Sequence, residues 1–273
     1  MIRVNKTVGM MDIFETVKGT IEVFRTLHEV EPIRDWQGNE DFSKHTMDVL
    51  RDITLKFDVK QYGDNLDLLA EHCGANLPWA NDHFEERVSG KPTNPGHTYK
   101  YWPFHTNLDE SNYKENVFSH TYQERFWPKH AGVNDGQYSH KGIRYNYGDL
   151  EDVIKQLNEN TLTRQAYLPI WFPEDTGAQG RRVPCTLGYY FYINPISKDI
   201  HMIYTIRSCD ILRHFRNDVY LTTRLLIYVY DKLKVNNPEL KLGTVKMDIY
   251  NLHRFTNDRY AFDKIQKSIY GKL

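Results

Sequence analysis

Residues 187–210 read LGYYFYIN-PISKD-IHMIYTIR-SCD, and this stretch decides the class of fold. Its segments 187–194 and 200–207 are rich in aromatic and β-branched residues, which favour β-strands. The residues between them, 195–199, include proline, serine and aspartate, which are typical of turns. The sequence therefore predicts two strands joined by a turn, with the polar residues Ser208-Cys209-Asp210 directly after the second strand.

Helices and further strands are predicted on both sides of this pair. Residues 217–234 have helical periodicity, and their apolar face consists of Leu225, Leu226, Val229 and Leu233. Residues 243–251 form another predicted strand. On the N-terminal side, Asp149 is typical of a helix N-cap, with Asp152 at the third helical position. A strand is predicted at 167–172, after a helix whose buried stripe is Leu150, Val153, Ile154 and Leu157.

The N-terminal half of the chain has a weaker pattern. A first amphipathic helix is predicted from apolar residues at three- and four-residue steps, namely Phe14, Val17, Ile21, Phe24 and Leu27. Residues 53–59 alternate as a strand does. Residues 75–148 are rich in proline and aromatic residues, and a structureless loop of that length is uncommon in a compact domain. We therefore predict short elements and lids over a site there, including a helix at 81–89.

These elements alternate without strict βαβ regularity. We therefore expect an α/β (α+β) fold, in which a mixed β-sheet is covered by helices and residues 1–273 form a single domain. Such a length suits one large domain or two small ones.

Composition narrows the class of partner. The net charge of −1 gives no reason to expect nucleic acid or an anionic membrane surface as the main partner. Three cysteines without paired spacing argue against a disulfide framework, and no apolar run reaches the ~18 residues of a membrane span. We expect an intracellular protein in the cytoplasm.

Cys185 is the first candidate for chemistry. It follows Arg181-Arg182-Val183-Pro184 and comes directly before a β-prone run. Neighbouring arginines are expected to lower a thiol pKa and to raise the fraction of thiolate. The alternative is that Cys185 is a small buried hydrophobic residue.

Two more segments carry candidate binding residues. Arg207, Ser208 and Asp210 follow one strand and precede a helix N-terminus, which together could hold a phosphate, although a solvated turn is the alternative. Asp248 and Tyr250 lie on the same face of a predicted strand. They could hold a sugar hydroxyl or simply line a wet face of the sheet.

The order and spacing of these segments resemble the thymidylate synthase family, and within it most closely the phage-type deoxycytidylate hydroxymethylases. Arg164 and the stretch from Trp171 to Asp175 resemble the family's arginine-bearing turn and its Trp-Asn-Pro-x-Asp segment. Pro184-Cys185 looks like the catalytic Pro-Cys, Arg207-Ser208-Cys209-Asp210 like the Arg-Ser-x-Asp signature, and Tyr250 with His253 like the sugar-binding segment. The firm resemblance covers residues 149–257.

The resemblance implies transfer of a one-carbon unit from 5,10-methylenetetrahydrofolate to C5 of a pyrimidine nucleotide. Cys185 would add to C6 of the ring, and Arg207 with Ser208 would bind the 5′-phosphate. Asp210 would position the base, and Tyr250 would bind the 3′-hydroxyl. Arg164 would reach the partner's site in a homodimer, and the host cytoplasm is the expected location if the protein is phage-encoded.

The base-reading position of the family falls at Asn217-Asp218. Counting eight residues past Asp210 selects Asp218. A carboxylate only accepts hydrogen bonds, so Asp218 suits the N4 amino group of cytosine, whereas two facing acceptors would penalise uracil O4 by about 1–3 kcal/mol. The alternatives are that Asp218 is a helix N-cap, or that a shift of one residue makes Asn217 the reader.

The acid–base and folate-binding residues are inferred from the weaker N-terminal half. Glu86 is preferred over Glu85 as the general acid/base, because Glu86 shares a helix face with Asp82 and His83. Tyr122 resembles the family tyrosine that helps to remove the C5 proton. Trp79 and Trp102 are candidates for stacking on the pterin, although tryptophans more often pack in a core.

Departures from the family pattern affect substrate and product. Gln165 and Asp248 replace a second arginine and a histidine, and Arg182 is the candidate substitute for the arginine. Thr186 follows the cysteine, as in the hydroxymethylases, so 5-hydroxymethyl-dCMP is the expected product rather than a methylated one. The alternatives are methylation of dCMP or dUMP, hydroxymethylation of dUMP, a cysteine–histidine hydrolase or transferase, and a non-catalytic nucleotide-binding regulator. No metal-binding spacing occurs.

Overall fold

The computed structural model describes residues 7–33, 46–105, 118–129, 131, 148–177 and 182–271. Eight strands form the sheet: β1 (Thr7–Met11), β2 (Glu29–Pro32), β3 (Thr46–Asp58), β4 (Tyr167–Pro169), β5 (Thr186–Ile193), β6 (Asp199–Ile206), β7 (Cys209–Asp210) and β8 (Lys241–Phe255). The helices are α1 (Ile13–Leu27), α2 (Leu66–Cys73), α3 (Trp79–Val88), α4 (Tyr122–Phe126), α5 (Leu150–Glu159), α6 (Phe215–Lys234) and α7 (Arg259–Tyr270). Short 3₁₀ turns span Lys60–Tyr62, His97–Tyr101, Pro173–Gly177 and Thr256–Asp258.

The sheet is mixed, as predicted. Its main order is β1-β3-β8-β6-β5-β4, with β2 on β3 and β7 on β8. β5 and β6 pair antiparallel, so the predicted hairpin is confirmed, whereas β6 and β8 run parallel. The parallel pair requires a crossover, and α6 supplies it between β7 and β8.

One face of the sheet is buried under helices, and the other is partly exposed. In β5, Tyr189, Phe191 and Ile193 point into the core, while Tyr190 and Tyr192 lie on the partly exposed face. The same alternation continues in β6 and β8, as expected for a sheet that is covered by helices on one side. The face buried by α6 is therefore the one on which a site can be enclosed.

Most of the predicted elements are confirmed, with shifted ends. The helix predicted at 217–234 begins at Phe215, and the strands predicted at 53–59 and 243–251 lie largely within the longer β3 and β8. Asp152 accepts a hydrogen bond from the backbone N–H of Asp149, as expected at the start of α5. In the described part of 75–148, α3 matches the predicted helix, and the rest of that segment's described structure is short.

One detail of the prediction is wrong. The strand at 167–172 ends at Pro169, because the N–H groups of Ile170 and Trp171 both bind Leu187 O and regular pairing with β5 stops there. Leu27, the last of the apolar residues that predicted α1, lies at the C-terminal end of the helix and is 49% exposed. Within the ranges that the structure describes, no helix has the length and apolar character of a membrane span.

Candidate functional site

Cys185 lies directly before β5 at the edge of the core. Its carbonyl accepts a hydrogen bond from the Arg207 N–H at 2.9 Å, which joins the Cys185 segment to the end of β6. The side chain is partly buried, and burial raises the pKa of the thiol even though Arg207 and Arg182 act in the opposite direction. The prediction of a lowered thiol pKa is therefore wrong for the free protein, because desolvation outweighs the charge of the arginines.

The Arg207 guanidinium holds the segment before Cys185. Its Nε donates to Pro184 O at 3.0 Å and its Nη2 donates to Val183 O at 3.2 Å. The guanidinium also lies over the Trp171 ring, 5.4 Å from the ring centroid. Arg207 thereby fixes the cysteine segment against the Trp171 segment.

Ser208 and Asp210 lie between Arg207 and the start of α6. The Ser208 hydroxyl lies 3.5 Å from Nδ1 of the buried His253. Asp210 accepts hydrogen bonds from the N–H groups of Leu212 and Arg213, which shapes the turn that leads into the helix. The structure thus brings Arg207, Ser208 and the N-terminus of α6 into one region, as the sequence predicted.

Asp218 is the fourth residue of α6, so it is not the helix N-cap. Its Oδ2 accepts a weak hydrogen bond from Cys209 Sγ at 3.5 Å. Burial raises the pKa of the Asp218 carboxyl to about 6, while the charge of Arg87 acts to lower it. The charge of this carboxylate also acts to raise the pKa of Cys185 and of Tyr122, so the three side chains lie near one another.

Asn217 faces a different neighbour from Asp218. Its Oδ1 accepts from the Asn76 N–H at 2.9 Å, and its Nδ2 donates to Asn76 Oδ1 at 2.9 Å. These bonds use both ends of the amide to hold the loop before α3. Of the two candidate readers of the base, Asn217 is thus engaged with Asn76, while Asp218 lies near Cys185.

A chain of three hydroxyl groups begins beside Cys185. Tyr122 Oη lies 3.1 Å from Thr186 Oγ1, which in turn lies 3.0 Å from Tyr204 Oη. Tyr204 is buried, and Thr186 is the hydrogen-bond partner of its hydroxyl among the described residues. In each pair either hydroxyl can donate, so the chain can hold its protons in more than one arrangement. Burial raises the pKa of the Tyr122 phenol to about 12.

We refer to Cys185, Tyr122, Thr186, Arg207 and Asp218 as the Cys185 group. Arg87 of α3 adjoins this group and was not anticipated from the sequence. Its guanidinium carbon lies 4.1 Å from the centroid of the Tyr122 ring, and the residue is only 7% exposed. Its position three residues after the buried Phe84 was the available signal, because an arginine at an apolar-stripe position is unusual.

Glu86 is not brought into contact with the Cys185 group. Its carboxylate accepts from the N–H groups of His97 and Thr98, from the Thr98 hydroxyl, and from Gln123 Nε2 at 2.9 Å. Burial alone would raise the pKa, but hydrogen bonds from His83, Thr98 and His97 lower it to about 2. Such a carboxylate is a poor proton donor, so the geometry does not favour Glu86 as the general acid.

The alternative, Glu85, is held elsewhere as well. It forms a 2.7 Å ion pair with Arg224 of α6, and its side chain is 65% exposed. A cavity of about 500 Å³ lies beside α3, and its lining includes Glu85, Glu86 and Thr98 but not Cys185. We therefore do not assign this acidic cavity to the Cys185 group.

Trp79 and Trp102 belong to a row of aromatic rings. Trp79 stacks on His83 with centroids 4.8 Å apart, and Trp102 stacks on His214 with centroids 5.0 Å apart. The two tryptophans lie 6.3 Å apart. Trp79 Nε1 donates to Thr98 O, whereas the buried Trp102 Nε1 has no hydrogen-bond partner among the described residues.

The remaining predicted residues lie farther out. Arg182 is exposed, and its charge lowers the pKa of Cys185, so its side chain lies near the thiol. Arg164 is exposed between α5 and β4 and makes no contact with the Cys185 group. Asp248 accepts from the Thr54 hydroxyl and from Lys246 Nζ, both at 2.8 Å, and Tyr250 is 45% exposed. Asp248 and Tyr250 share one face of β8, as predicted.

Comparison with known proteins identifies the family. A sequence model of the thymidylate synthase family matches residues 97–261, which is more than half of the chain. The chain belongs to the thymidylate synthase family. The matched region contains every member of the Cys185 group.

Two individual proteins extend the comparison. A protein of Methanococcoides burtonii that is provisionally assigned as a thymidylate synthase is 32% identical over 123 residues, which are 45% of this chain and 51% of that protein. The chain thus spans about half the length of this relative. Thermostable thymidylate synthase A from Bacillus subtilis superposes with a TM-score of 0.63 at 12% identity, over 94% of this chain and 84% of that one. At that identity the superposition shows a thymidylate synthase-like fold and no more.

The thymidylate synthase family uses 5,10-methylenetetrahydrofolate and a pyrimidine nucleotide as substrates. The row of rings from His83 to His214 consists of two stacked pairs whose tryptophan planes are inclined by 44°, and it offers aromatic rings for contact with a pterin. Trp102 Nε1 is a donor without a partner among the described residues. The residues present therefore fit a folate. Among the described residues, no cluster of side chains has the composition of a metal site.

Proposed function

We propose that this member of the thymidylate synthase family converts dCMP to 5-hydroxymethyl-dCMP with 5,10-methylenetetrahydrofolate. The observation that carries the proposal is that Tyr122 and Asp218 lie near Cys185: the Tyr122 hydroxyl contacts Thr186, the residue after the cysteine, and the charge of Asp218 acts on the pKa of the Cys185 thiol. A nucleophile, a hydroxyl and a carboxylate that can read a base are thus available together. The match of residues 97–261 to the family model supports the same chemistry.

Covalent catalysis by Cys185 is needed because C5 of a pyrimidine is not nucleophilic on its own. Addition of the thiolate to C6 breaks the C5–C6 double bond and makes C5 an enolate-like carbon, which then attacks the methylene carbon carried by the folate. Loss of the C5 proton and of tetrahydrofolate leaves an exocyclic methylene group on the ring. Water adds to that methylene, and the thiolate leaves C6 to restore the ring.

Generation of the thiolate is coupled to the binding of substrate in this proposal. The pKa of Cys185 is raised in the free protein by burial, and Arg207 is the nearest compensating charge. Asp218 and Asp210 act against thiolate formation because they are negative. Pairing of Asp218 with the amino group of the base would offset part of that repulsion.

Asp218 carries the preference for cytosine. Its carboxylate can accept a hydrogen bond from the N4 amino group, and its described protein partner is the weak donor Cys209. Uracil would place O4 against the same carboxylate. We expect dCMP to be preferred over dUMP by about 10-fold or more.

The roles of the other site residues are inferred from their positions in the fold and from the resemblance to the family. Arg207, Ser208 and Arg182 would hold the 5′-phosphate near the N-terminus of α6. Arg164 would reach the site of the partner subunit in a homodimer, since it is exposed and remote from its own Cys185. Asp248 and Tyr250 would contact the sugar, and Tyr122 would accept or pass on the C5 proton.

Mass analysis of products tests the proposed function. The protein is incubated with 5,10-methylenetetrahydrofolate and, separately, with dCMP, dUMP and CMP. A hydroxymethyl group added to dCMP would support the whole proposal. A methyl group added to dCMP would support the choice of cytosine but would contradict the addition of water to the exocyclic methylene. Turnover of dUMP alone would show that Asp218 does not select cytosine.

A further inference from the structure

Arg87 is a buried cation without a charged partner of its own. Its Nε lies 3.1 Å from Nε2 of His83, and burial, reinforced by the charge of Arg87, lowers the pKa of that histidine to about 4, so the ring is neutral near pH 7. Among the described residues, no carboxylate oxygen lies within 4.0 Å of the guanidinium, and its two terminal amino groups have no hydrogen-bond partner. These two amino groups are not among the fully buried atoms that lack a partner, so they reach the surface of the site and are open to a ligand.

Asp218 is a carboxylate that lacks a cationic partner among the described residues. It is a partly buried carboxylate whose described hydrogen bond comes from the Cys209 thiol, and it has no ion pair within the described part of the chain. Of all charges, Arg87 acts most strongly to lower the pKa of Asp218. Arg87 also lies against the ring of Tyr122, whose hydroxyl bonds to the residue after Cys185. A guanidinium with free terminal donors and a carboxylate without an ion pair among the described residues therefore lie near each other.

We infer that Arg87 is a second base-reading residue, whose guanidinium donates to the ring acceptor next to the group that Asp218 reads. This inference rests on the proposed function. On a cytosine ring, Asp218 would accept from the N4 amino group and Arg87 would donate to N3, which is an acceptor in the neutral base. The Arg87 donor and the Asp218 acceptor of the protein thus match the N3 acceptor and the N4 donor of cytosine.

Arg224 shows what a purely structural arginine looks like in the same region. It is also buried, and its guanidinium carbon lies 4.3 Å from the centroid of the Phe84 ring. Its amino groups, however, are taken up by Asn81, Tyr220 and Glu85. Arg87 has the same kind of stacking without these partners, so packing alone does not account for its free donors.

Calorimetric titration of the full chain tests the inference. The ligands are dCMP, dUMP and 2-deoxyribose 5-phosphate, which lacks a base, and the variants are Arg87→Met, Arg87→Lys and Arg224→Met. We expect Arg87→Met to weaken dCMP binding by about 10-fold or more but to leave the affinity for the sugar phosphate within about 2-fold. Arg87→Lys should recover part of the loss, and Arg224→Met should leave both affinities unchanged.

The outcomes separate this inference from the proposed function. Equal losses for dCMP and the sugar phosphate in Arg87→Met would overturn the base-reading role. An effect on dUMP rather than dCMP would overturn the proposed choice of base and keep Arg87 as a reader. If the wild type binds neither nucleotide more tightly than the sugar phosphate, the proposed function and the inference both fail.

A change in the ligand keeps the inference testable if the variants do not fold. The wild-type protein is titrated with 3-deaza-dCMP, which has a C–H group in place of N3. Loss of the acceptor should weaken binding by about 10-fold relative to dCMP, because the buried guanidinium is left unpaired. Equal affinities for the two nucleotides would contradict a hydrogen bond from Arg87 to N3.

Discussion

Asp218 makes the proposed activity depend on pH in a definite direction. Burial raises the pKa of its carboxyl from the usual value near 3.8 to about 6, and only the ionised form is purely an acceptor. We therefore expect kcat/KM for dCMP to fall as the pH drops through about 6, since kcat/KM reports the free enzyme. Asp218→Asn should remove this acidic limb and shift preference toward dUMP. The same limb in wild type and variant would contradict the assignment.

Thr186 links Tyr122 to the buried Tyr204, and its hydroxyl can be removed almost without a change of shape. Thr186→Val should slow release of tritium from [5-³H]dCMP by about 10- to 100-fold, because Tyr122 loses the group that orients it. Binding of dCMP should stay nearly constant. Thr223→Val is the matched control, because Thr223 is buried and its hydroxyl bonds only to a backbone carbonyl in α6. Equal slowing in both variants would point to a general loss of packing.

Sequence reasoning selected Cys185 by its Pro-Cys pair and Asp218 by its spacing from Asp210, and the structure places the two side chains near each other. It missed Arg87, because no short motif marks an arginine whose neighbours come from α4 and α6. It also misjudged the thiol pKa, because counting nearby arginines says nothing about burial. The direction in which Glu86 points depends on the backbone N–H groups of residues 97 and 98, which no periodic pattern reveals.

At the scale of elements, the first turn of α6 has two separate tasks. Asn217 joins the helix to Asn76 in the loop before α3, while Asp218 accepts from the Cys209 thiol and acts on the pKa of Cys185. Asn217→Ala should lower the free energy of unfolding by about 1–3 kcal/mol, because buried groups of Asn76 lose their partners. Its preference between dCMP and dUMP should be unchanged.

Chemical denaturation and nucleotide binding check this division. Asn236→Ala is the control, because the Asn236 side chain is exposed and, among the described residues, its hydrogen bonding is limited to a 3.4 Å contact with Asn158. We expect no measurable change in its stability. A change of base preference in Asn217→Ala, without a loss of stability, would reverse the roles assigned to the two neighbouring residues.

The sheet around β5 and β6 could be predicted because alternating aromatic and aliphatic residues define both strands and their buried face. The predicted β4 was too long. Ile170 and Trp171 leave the regular strand pairing because both N–H groups bind one carbonyl of β5, and the residue types at these two positions do not reveal this. The structure of residues 75–148 was the least predictable from the sequence. The described helices of this segment are held by contacts between distant residues, such as the hydrogen bond from the Trp127 side chain to the Arg87 carbonyl. Local pattern cannot report such contacts.

At the scale of the whole molecule, we expect the exposed Arg164 to complete the site of the partner subunit in a homodimer. If Arg164 completes the partner's site, a heterodimer of Arg164→Ala and Cys185→Ser subunits contains one intact site of two. Purification through two different tags should then give about half of the wild-type activity from two inactive variants. Activity no higher than that of the Arg164→Ala homodimer would show that Arg164 acts within its own subunit.

Release of tritium from [5-³H]dCMP in the presence of 5,10-methylenetetrahydrofolate tests the central claim most directly. Substitution of the C5 hydrogen requires prior addition of Cys185 to C6, so the wild type should release tritium. Cys185→Ser should not release it, although dCMP should still bind. Release at an unchanged rate from Cys185→Ser would contradict covalent catalysis by this cysteine.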